Sequence, residues 1–272
     1  MMPHNHALLL IAFGTSHNNA TGPYQAMEEE ILRDYPAKSI RWSYTSQTIR
    51  AALARQGIII PTIEENLASW VSEGVRNLQV QSLHIVRGKE FSEMEKELLQ
   101  ALTKFPESFD HVSLGNPLLE TKRDREEVVA AVLSHFPKER TKDEAILFMA
   151  HGQKDGHGDP TLAALEEEIL RQDPLAFTAT LDGKKSFEDA LLQIKEAGVK
   201  TVWLAPFLFL AGKHVKIDLA GKSPDSWENK LKREGFAVKT DLRGLGENPE
   251  IRFIFAQHAL ESMEIPLVLW RP

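Results

Sequence analysis

Two histidines and two carboxylates each follow a short apolar run, at the point where a strand would end. His151 closes "AILFMAH", His214 follows "TVWLAPFLFLAGK", Asp182 follows "AFTATL", and Glu90 lies just beyond "NLQVQSLHIVRGK". Imidazole and carboxylate without a thiol suit a borderline divalent metal such as cobalt, nickel, iron or zinc. Neutral imidazole also accepts a proton near pH 7. The four residues therefore indicate metal binding or proton transfer.

Each of these residues also has an ordinary structural explanation when it is taken alone. Polar residues are common at strand ends, and Asp182 lies in "LDGKKS", a good turn sequence. His84 lies inside an apolar run, which is typical of a buried histidine, and His17 and His157 lie in polar loops and are accessories at most. The functional interpretation therefore depends on a fold that brings the four residues to one edge.

Composition limits the class of protein. The chain has 272 residues, 42% of them hydrophobic and 26% charged, which is the size and make-up of two compact globular domains. No run of about 18 apolar residues predicts a membrane span. The absence of cysteine excludes disulfides and thiolate metal sites, and the N-terminal sequence does not resemble a signal peptide, so we expect a cytoplasmic protein. The oligomeric state stays open, with a homo-oligomer among the alternatives.

The net charge of −7 argues against a general affinity for nucleic acid or for an anionic membrane. A small anionic substrate would have to be met by local basic side chains. Each basic residue near the predicted strand ends is explained equally well as a solvated loop residue. The candidates are Arg50, Arg87, Lys89, Lys154 and Lys213.

Apolar runs alternate with amphipathic stretches along the chain, which predicts an α/β fold with parallel sheets covered on both faces. The predicted strands are 7–13, 39–45, 77–85, 111–115, 145–150, 176–181, 201–209 and 237–242. Helical stripes of apolar residues fall at 63–71, 91–102 and 162–169. Asp159 before Pro160 and Asn248 before Pro249 predict two helix N-caps.

The pattern repeats within the chain. Residues 74–90 align with 198–214 at an offset of 198 − 74 = 124, which places Glu90 opposite His214. Residues 8–14 align with 146–152, which places Phe13 opposite His151. A duplicated half predicts two similar α/β domains. Since ligands bind outside the carboxyl ends of parallel strands, we expect the active site in a cleft between the domains.

Several familiar catalytic motifs are missing from the sequence. "GLGEN" at 244–248 lacks a full G-x-G-x-x-G, and "FGTS" after the first strand has no Walker lysine, so nucleotide binding is not predicted. The chain also lacks the G-x-S-x-G nucleophile elbow and the H-E-x-x-H zinc protease motif. No organic cofactor is expected.

Several ordered motifs together resemble a known family. They are "FGTS", "YTS", "QSLHIVRGKE", "FMAHG", "FLFLAGKHVKIDLAG" and "GLGENPEIR". In this order they are similar to the anaerobic sirohydrochlorin cobaltochelatases, class II chelatases related to ferrochelatase. The resemblance implies two similar Rossmann-like, chelatase-like domains with parallel sheets at 1–118 and 119–248, with a C-terminal helix in 249–272 that packs back on the first domain. It also implies insertion of Co(II), as substrate metal, into a tetrapyrrole without ATP.

The resemblance assigns roles residue by residue. It implies that His151 binds the metal and acts as the base, that His214 is the second metal-binding imidazole, and that Glu90 is an active-site carboxylate. The family usually has glutamate in a "VEGYP"-like context where this chain has "LDGKK", so Asp182 keeps the charge of the metal ligand on a shorter side chain. The residues implied in tetrapyrrole binding are Thr15, Ser16, Thr45, Ser46, His84 and Glu90.

Two alternatives to cobalt insertion remain open at this point. Related chelatases differ little in their ligands, so iron or nickel insertion into the same type of tetrapyrrole is a close rival. A metal or tetrapyrrole carrier could use the same residues without turnover. The combination of a metal-ligand set with the additional carboxylate of Glu90 favours catalysis over storage.

Overall fold

The computed structural model describes residues 6–16, 21–34 and 39–270. The chain divides into two compact units, one formed by residues 1–118 and 252–272 and the other by residues 119–251. No helix within the described ranges combines the length and the apolar character needed to cross a membrane.

The first unit contains a five-stranded sheet. Its strands are β1 (His6–Ala12), β2 (Ser39–Tyr44), β3 (Asn77–Ser82), β4 (His111–Gly115) and β9 (Met263–Glu264). They lie in the order β2-β1-β3-β4-β9, parallel except for β9, which runs antiparallel to β4. The helices of this part are α1 (Gly22–Asp34), α2 (Gln47–Ala54), α3 (Ile63–Ser72), α4 (Lys89–Thr103) and most of α9 (Pro249–Leu260).

The second unit contains a four-stranded parallel sheet. Its strands are β5 (Ala145–Ala150), β6 (Ala176–Thr180), β7 (Thr201–Pro206) and β8 (Ala237–Thr240), in the order β6-β5-β7-β8. The helices are α5 (Lys122–Ser134), α6 (Asp159–Gln172), α7 (Phe187–Glu196) and α8 (Trp227–Arg233), and Val215–Leu219 form a π-helical turn. Both sheets therefore have the order second, first, third, fourth strand, as the internal repeat predicts.

Hydrophobic burial explains why the central strands form. In β1, the residues from Leu8 to Ile11 are fully buried. In β5, the residues from Ala145 to Met149 are at most 1% exposed. Continuous apolar runs of this kind are typical of parallel strands that helices cover on both faces. The predicted α3 stripe is likewise buried apart from Val71, which is partly buried, and Thr62 and Glu65 form a capping box at the start of that helix.

Two strands end three residues earlier than their apolar runs, the largest differences from the predicted strand ends. The runs predict strands to Ile85 and to Phe209, whereas β3 ends at Ser82 and β7 at Pro206. The next amides, of Leu83 and Phe207, still donate to the neighbouring strand, to Ile11 O at 2.8 Å and Met149 O at 2.7 Å. The prediction was wrong here because the residues that follow stay buried after strand pairing has stopped.

The helix caps agree with the sequence in one case and differ by one residue in the other. Asn248 precedes α9, and its side-chain oxygen accepts a hydrogen bond from the amide of Glu250 at 2.9 Å, as predicted. Asp159 is not the N-cap of α6. Gly158 holds that position, because a turn bonded from Asp159 N to Gly156 O runs directly into the helix and makes Asp159 its first residue.

Hydrogen bonds continue past the strand ends in the same way in both sheets. In the first sheet Thr45 N donates to Ala12 O and Ser46 N donates to Phe13 O, at 2.9 and 3.2 Å. In the second sheet the matching bonds run from Leu181 N to Ala150 O and from Asp182 N to His151 O, at 3.1 and 2.9 Å. The residues that follow the first two strands of each sheet therefore occupy equivalent, fixed backbone positions.

Candidate active site

His151 and His214 lie side by side in the second unit. His151 directly follows β5, and His214 precedes the π-helical turn that comes after β7. The two imidazole rings are perpendicular, and their centroids are 5.1 Å apart. Since β5 and β7 are adjacent and parallel, this is the point where the strand order reverses, which is the usual ligand site in such sheets.

Each imidazole of the pair uses its Nδ1 atom in a hydrogen bond with an oxygen. His151 Nδ1 lies 3.1 Å from Gly152 O, and His214 Nδ1 lies 2.7 Å from Asp218 Oδ2. A carbonyl or carboxylate oxygen only accepts, so Nδ1 carries the proton in each ring. In its neutral form each ring then has the lone pair on Nε2, the arrangement of a histidine ready to bind a metal.

Asp182 is joined to His151 through the main chain and to Lys154 through its side chain. Its amide donates to His151 O, and its Oδ1 lies 3.7 Å from Lys154 Nζ. Within the part of the chain that the structure describes, no group of three or more His, Asp or Glu side chains is placed to hold a metal ion. The structure therefore pairs two of the three predicted ligands and holds Asp182 near a lysine.

Two glycines allow the loops of His151 and Asp182 to approach closely. Gly152 has a φ of +69°, which L-residues rarely adopt, and a Cβ atom there would lie 2.5 Å from Gly183 N and 2.7 Å from the Cβ atom of Thr180. Gly183 in turn donates its amide hydrogen bond to Thr180 Oγ1 at 3.1 Å. The "HG" and "DG" pairs in the sequence are therefore a steric requirement of this backbone contact.

His84 lies at the carboxyl end of β3 in the first unit and is 8% exposed. Its Nδ1 lies 2.5 Å from Ser82 Oγ, and its ring packs edge-on against Phe91 at 6.2 Å. Burial lowers the pKa of His84 from 6.5 to about 4, so the ring is neutral at pH 7. Its buried Nε2 has no hydrogen-bond partner among the described residues and lies 4.0 Å from Glu90 Oε2.

Glu90 lies in the first turn of α4, one residue after the helix begins. The unpaired amides of a helix N-terminus favour a carboxylate at such a position. Its side chain is about half exposed, so it reaches solvent while its oxygen faces the buried ring of His84. The structure thus brings together two predicted substrate-site residues, His84 and Glu90, without aligning them in a hydrogen bond.

The four predicted hydroxyl residues of the first unit have different surroundings. Thr15 is buried, Ser16 is half-buried, and both follow β1. Thr45 follows β2, and its buried Oγ1 has no hydrogen-bond partner among the described residues. Ser46 instead has a structural role, because its Oγ accepts the amide hydrogen of Ile49 at 3.3 Å and caps α2.

The remaining candidate residues separate by their contacts. The Arg50 guanidinium donates to Tyr44 O, and Arg87 lies over the Phe91 ring at 4.4 Å and beside Glu95 at 3.6 Å. Lys89 pairs with Glu93 along α4 at 3.9 Å, and Lys213 is exposed beside His214. His157 is exposed, whereas His17 lies outside the described residues.

A cavity of about 610 Å³ in the second unit borders β6 and the helices α6 and α7. Lys185 lines it beside Glu166, and burial lowers the pKa of the Lys185 ammonium to about 8. Neither histidine of the pair lines this cavity. Because the ammonium and the carboxylate compensate each other, the cavity presents no net charge from this pair to a ligand.

Asp218 is the site residue that the sequence interpretation missed. It lies four positions after His214, a spacing that places two side chains on one face of a helix. The "HVKID" sequence could have indicated this contact. The apolar pattern around it predicts no regular helix, however, and the π-helical turn that makes the contact leaves no periodic signal.

Comparison with known proteins gives matches along nearly the whole chain. The family model described as Cobalt chelatase (CbiK) matches residues 6–264. The sirohydrochlorin cobaltochelatase CbiKC of Nitratidesulfovibrio vulgaris is 31% identical over 251 residues, which cover 92% of this chain and 88% of that protein. The sirohydrochlorin cobaltochelatase of Salmonella typhimurium is 30% identical over 263 residues, which cover 95% and 97%.

Solved structures share the fold at lower sequence identity. SirB from Bacillus subtilis with Fe³⁺ superposes with a TM-score of 0.67 at 16% identity, covering 94% of this chain and 95% of that one. The sirohydrochlorin chelatase SirB from Bacillus subtilis subspecies spizizenii in complex with cobalt gives a TM-score of 0.61 at 17% identity, covering 94% of both chains. The α/β architecture with parallel sheets is therefore shared with these chelatases.

Proposed function

The chain belongs to the cobalt chelatase family, and we propose that it inserts Co(II) into sirohydrochlorin without ATP. The resemblance of the motifs to sirohydrochlorin cobaltochelatases is confirmed by the family match and by the two relatives. The structural observation that carries the proposal is the pair of imidazoles, His151 and His214, whose rings are 5.1 Å apart at the end of adjacent strands.

The imidazole pair suits a metal that must be bound and then released. Two Nε2 atoms supply two ligands, which leaves Co(II) most of its coordination positions for water and for the incoming pyrrole nitrogens. A closed tetrahedral site would retain the metal instead. We assign Asp182 as a third, exchangeable ligand. Lys154 Nζ lies 3.7 Å from Asp182 Oδ1, so the lysine side chain would move away when the carboxylate binds the metal.

Insertion must also remove two protons from the macrocycle. Sirohydrochlorin loses two pyrrole N–H protons as the Co(II) ion enters. The two positive charges that leave as protons equal the two that arrive with the metal, so the macrocycle keeps its net charge. Once Co(II) has passed from His151 Nε2 to the pyrrole nitrogens, the lone pair on that Nε2 is free and can accept one of these protons. Glu90 is our candidate to pass protons on, because its carboxylate lies about half exposed in the first turn of α4.

The first unit supplies the residues that we assign to tetrapyrrole binding. The buried hydroxyl of Thr45 and the buried Nε2 of His84 have no partner among the described residues, and such groups favour a polar ligand. Thr15 and Ser16 follow the neighbouring strand and are assigned the same role. Ser46 is needed for its helix cap, so its contribution would come through the backbone. The location of the active site in a cleft between the domains stays a prediction.

A direct assay with purified protein tests the proposal. Sirohydrochlorin is mixed with Co(II), Fe(II) or Ni(II), with and without protein, and the macrocycle absorbance is followed. We expect protein-dependent insertion that is fastest with Co(II). Rates as high with iron or nickel would overturn the cobalt assignment. Binding of the metal or macrocycle without release of product would favour a carrier. The cytoplasmic location expected from the sequence stays a prediction.

A further inference from the structure

Asp218 contacts one imidazole of the pair at the surface of the protein. Its Oδ2 lies 2.7 Å from Nδ1 of His214, and the two side chains are 40% and 46% exposed. An ion pair with this exposure contributes little to the free energy of unfolding. Stabilisation of the fold is therefore a weak reason for the contact, and its effect on His214 is the stronger one.

The backbone around the contact is specialised. Val215–Leu219 form a π-helical turn, in which Ala220 N donates to Val215 O at 3.1 Å. Asp218 lies within this turn and His214 directly precedes it, and single π-turns of this kind are frequent at functional sites. Gly221 permits this geometry, because a Cβ atom there would lie 2.2 Å from Ile217 O. The turn thus sets the register of His214 and Asp218.

The two imidazoles differ in the oxygen that holds them. His151 donates to the neutral carbonyl of the next residue, Gly152, at 3.1 Å, whereas His214 donates to a carboxylate at 2.7 Å. A hydrogen bond to an ionised acceptor is roughly twice as strong as one between neutral groups. His214 is therefore held more firmly, and His151 is held more loosely, as a group that accepts a proton and lets the metal go must be.

We propose that Asp218 is a positioning residue for the cobalt site, which fixes the tautomer and the orientation of His214 so that Nε2 faces the metal. The inference rests on the proposed function and deepens it, since it assigns the anchoring of Co(II) to the pair His214 and Asp218. Partners of this kind, one step removed from the metal, typically change metal affinity 10- to 100-fold when they are removed.

Co(II) binding to the protein without tetrapyrrole tests the proposal. The visible absorption of bound Co(II) is titrated in the wild type, Asp218→Ala, Asp218→Asn and the control Asp225→Ala, which removes an exposed carboxylate of the segment that follows. We expect Asp218→Ala to weaken binding about 10- to 100-fold and to shift the spectrum, and Asp218→Asn, which keeps an acceptor, to recover part of the affinity. Asp225→Ala should bind like the wild type.

Nitrogen-15 NMR of the metal-free protein measures the tautomer of His214, which would not change if Asp218 only stabilised the fold. In the wild type the His214 signals should report a proton on Nδ1, and in Asp218→Ala they should report a mixture of the two tautomers. Circular dichroism checks that each variant is folded. If Asp218→Ala does not fold, Asp218→Asn decides: affinity below that of the wild type, with a larger share of the tautomer protonated on Nε2, supports the positioning role, and wild-type affinity with mixed tautomers overturns it.

His214→Ala separates failure of this inference from failure of the proposed function. If His214→Ala binds Co(II) like the wild type, the assignment of the cobalt site is wrong, and the role of Asp218 falls with it. If His214→Ala loses binding while Asp218→Ala keeps wild-type affinity and tautomer, the cobalt site stands and the positioning role of Asp218 is overturned.

Discussion

The imidazole rings of His151 and His214 are perpendicular, with centroids 5.1 Å apart, although the residues follow different strands of the second sheet. Each ring has its Nδ1 atom bonded to an oxygen, and this leaves two Nε2 atoms as ligands on neighbouring loops. A site built from two strand ends is positioned by the sheet.

Replacement of His151 should stop insertion without unfolding the protein. His151→Ala removes both a ligand and the base, and loss of a general base typically costs about 10²- to 10⁴-fold in rate. Co(II) insertion into sirohydrochlorin is measured by macrocycle absorbance. His157→Ala is the matched control, an exposed histidine of the following loop, and should keep wild-type activity. A His151→Ala variant that turns over like the wild type would show that the base lies elsewhere.

The contact between Lys154 and Asp182 should compete with cobalt binding. Lys154→Met removes the ammonium 3.7 Å from the carboxylate, and because exposed ion pairs contribute up to about 1 kcal/mol, Co(II) affinity should rise by no more than about 5-fold. Asp182→Asn should lower the affinity instead. Isothermal titration calorimetry with Co(II) measures the affinity of each variant. Equal affinities in the wild type and in both variants would remove Asp182 from the proposed ligand set.

His84 should make the folded state sensitive to acid. Its pKa is lowered by burial from 6.5 to about 4, so between these pH values the unfolded chain binds more protons than the folded one. The free energy of unfolding is then undiminished above pH 6.5 and falls by at most about 3 kcal/mol as the pH drops to 4. Urea unfolding at a series of pH values measures the slope. His84→Gln should remove this part of it, and an unchanged slope would contradict the assignment.

Gly152 and Gly198 allow backbone strain to be separated from crowding. Both have a φ of +69°, but a Cβ atom at Gly152 would meet Gly183 and Thr180, whereas one at Gly198 has open space. Gly198→Ala should lower the free energy of unfolding by about 1–2 kcal/mol. Gly152→Ala should lower it by about 1–3 kcal/mol more and reduce insertion, because the loops of His151 and Asp182 must separate. Urea unfolding and the insertion assay compare them; equal losses would argue against the close contact.

Gly221 should affect cobalt through the π-helical turn. Gly221→Ala forces Ile217 O to move, since a Cβ atom would lie 2.2 Å from it, and this displaces Asp218. We expect Co(II) affinity to fall by about 10-fold, as for other changes one step removed from a metal. Gly212→Ala, whose Cβ atom meets nothing within 4 Å, is the control and should bind normally. Normal binding by Gly221→Ala would mean that the turn tolerates the methyl group.

Much of the fold could be predicted because its strands and helices follow from the apolar runs and the periodic apolar residues of the sequence. The strands β4 and β5 have the bounds that the sequence predicts, and the repeat predicted the shared strand order. The sequence predicts a first strand from residue 7, whereas β1 begins at His6, because its backbone pairs with Asn77. The two-residue strand β9 was missed, since Met263 and Glu264 are exposed and too few to show an alternating pattern.

The candidate site could be predicted only where residue type and strand end coincide. His151 and His214 were found because each histidine interrupts or follows an apolar run. Asp218 and the contact of Lys154 with Asp182 were not, because they depend on the path of irregular backbone and on side-chain rotamers. The helix-capping role of Ser46 was not predicted either, because the sequence analysis treated this residue only as part of the motif implied in tetrapyrrole binding.

The hydrogen bonds that continue past the strand ends have a consequence for how such a protein can change over evolutionary time. The backbone position that carries His151 and Asp182 in one half carries Phe13 and Ser46 in the other, with the same amide-to-carbonyl bonds. Main-chain bonding does not depend on the side chain, so these positions tolerate replacement without loss of the scaffold. Metal preference in a duplicated fold of this kind is therefore open to selection one side chain at a time.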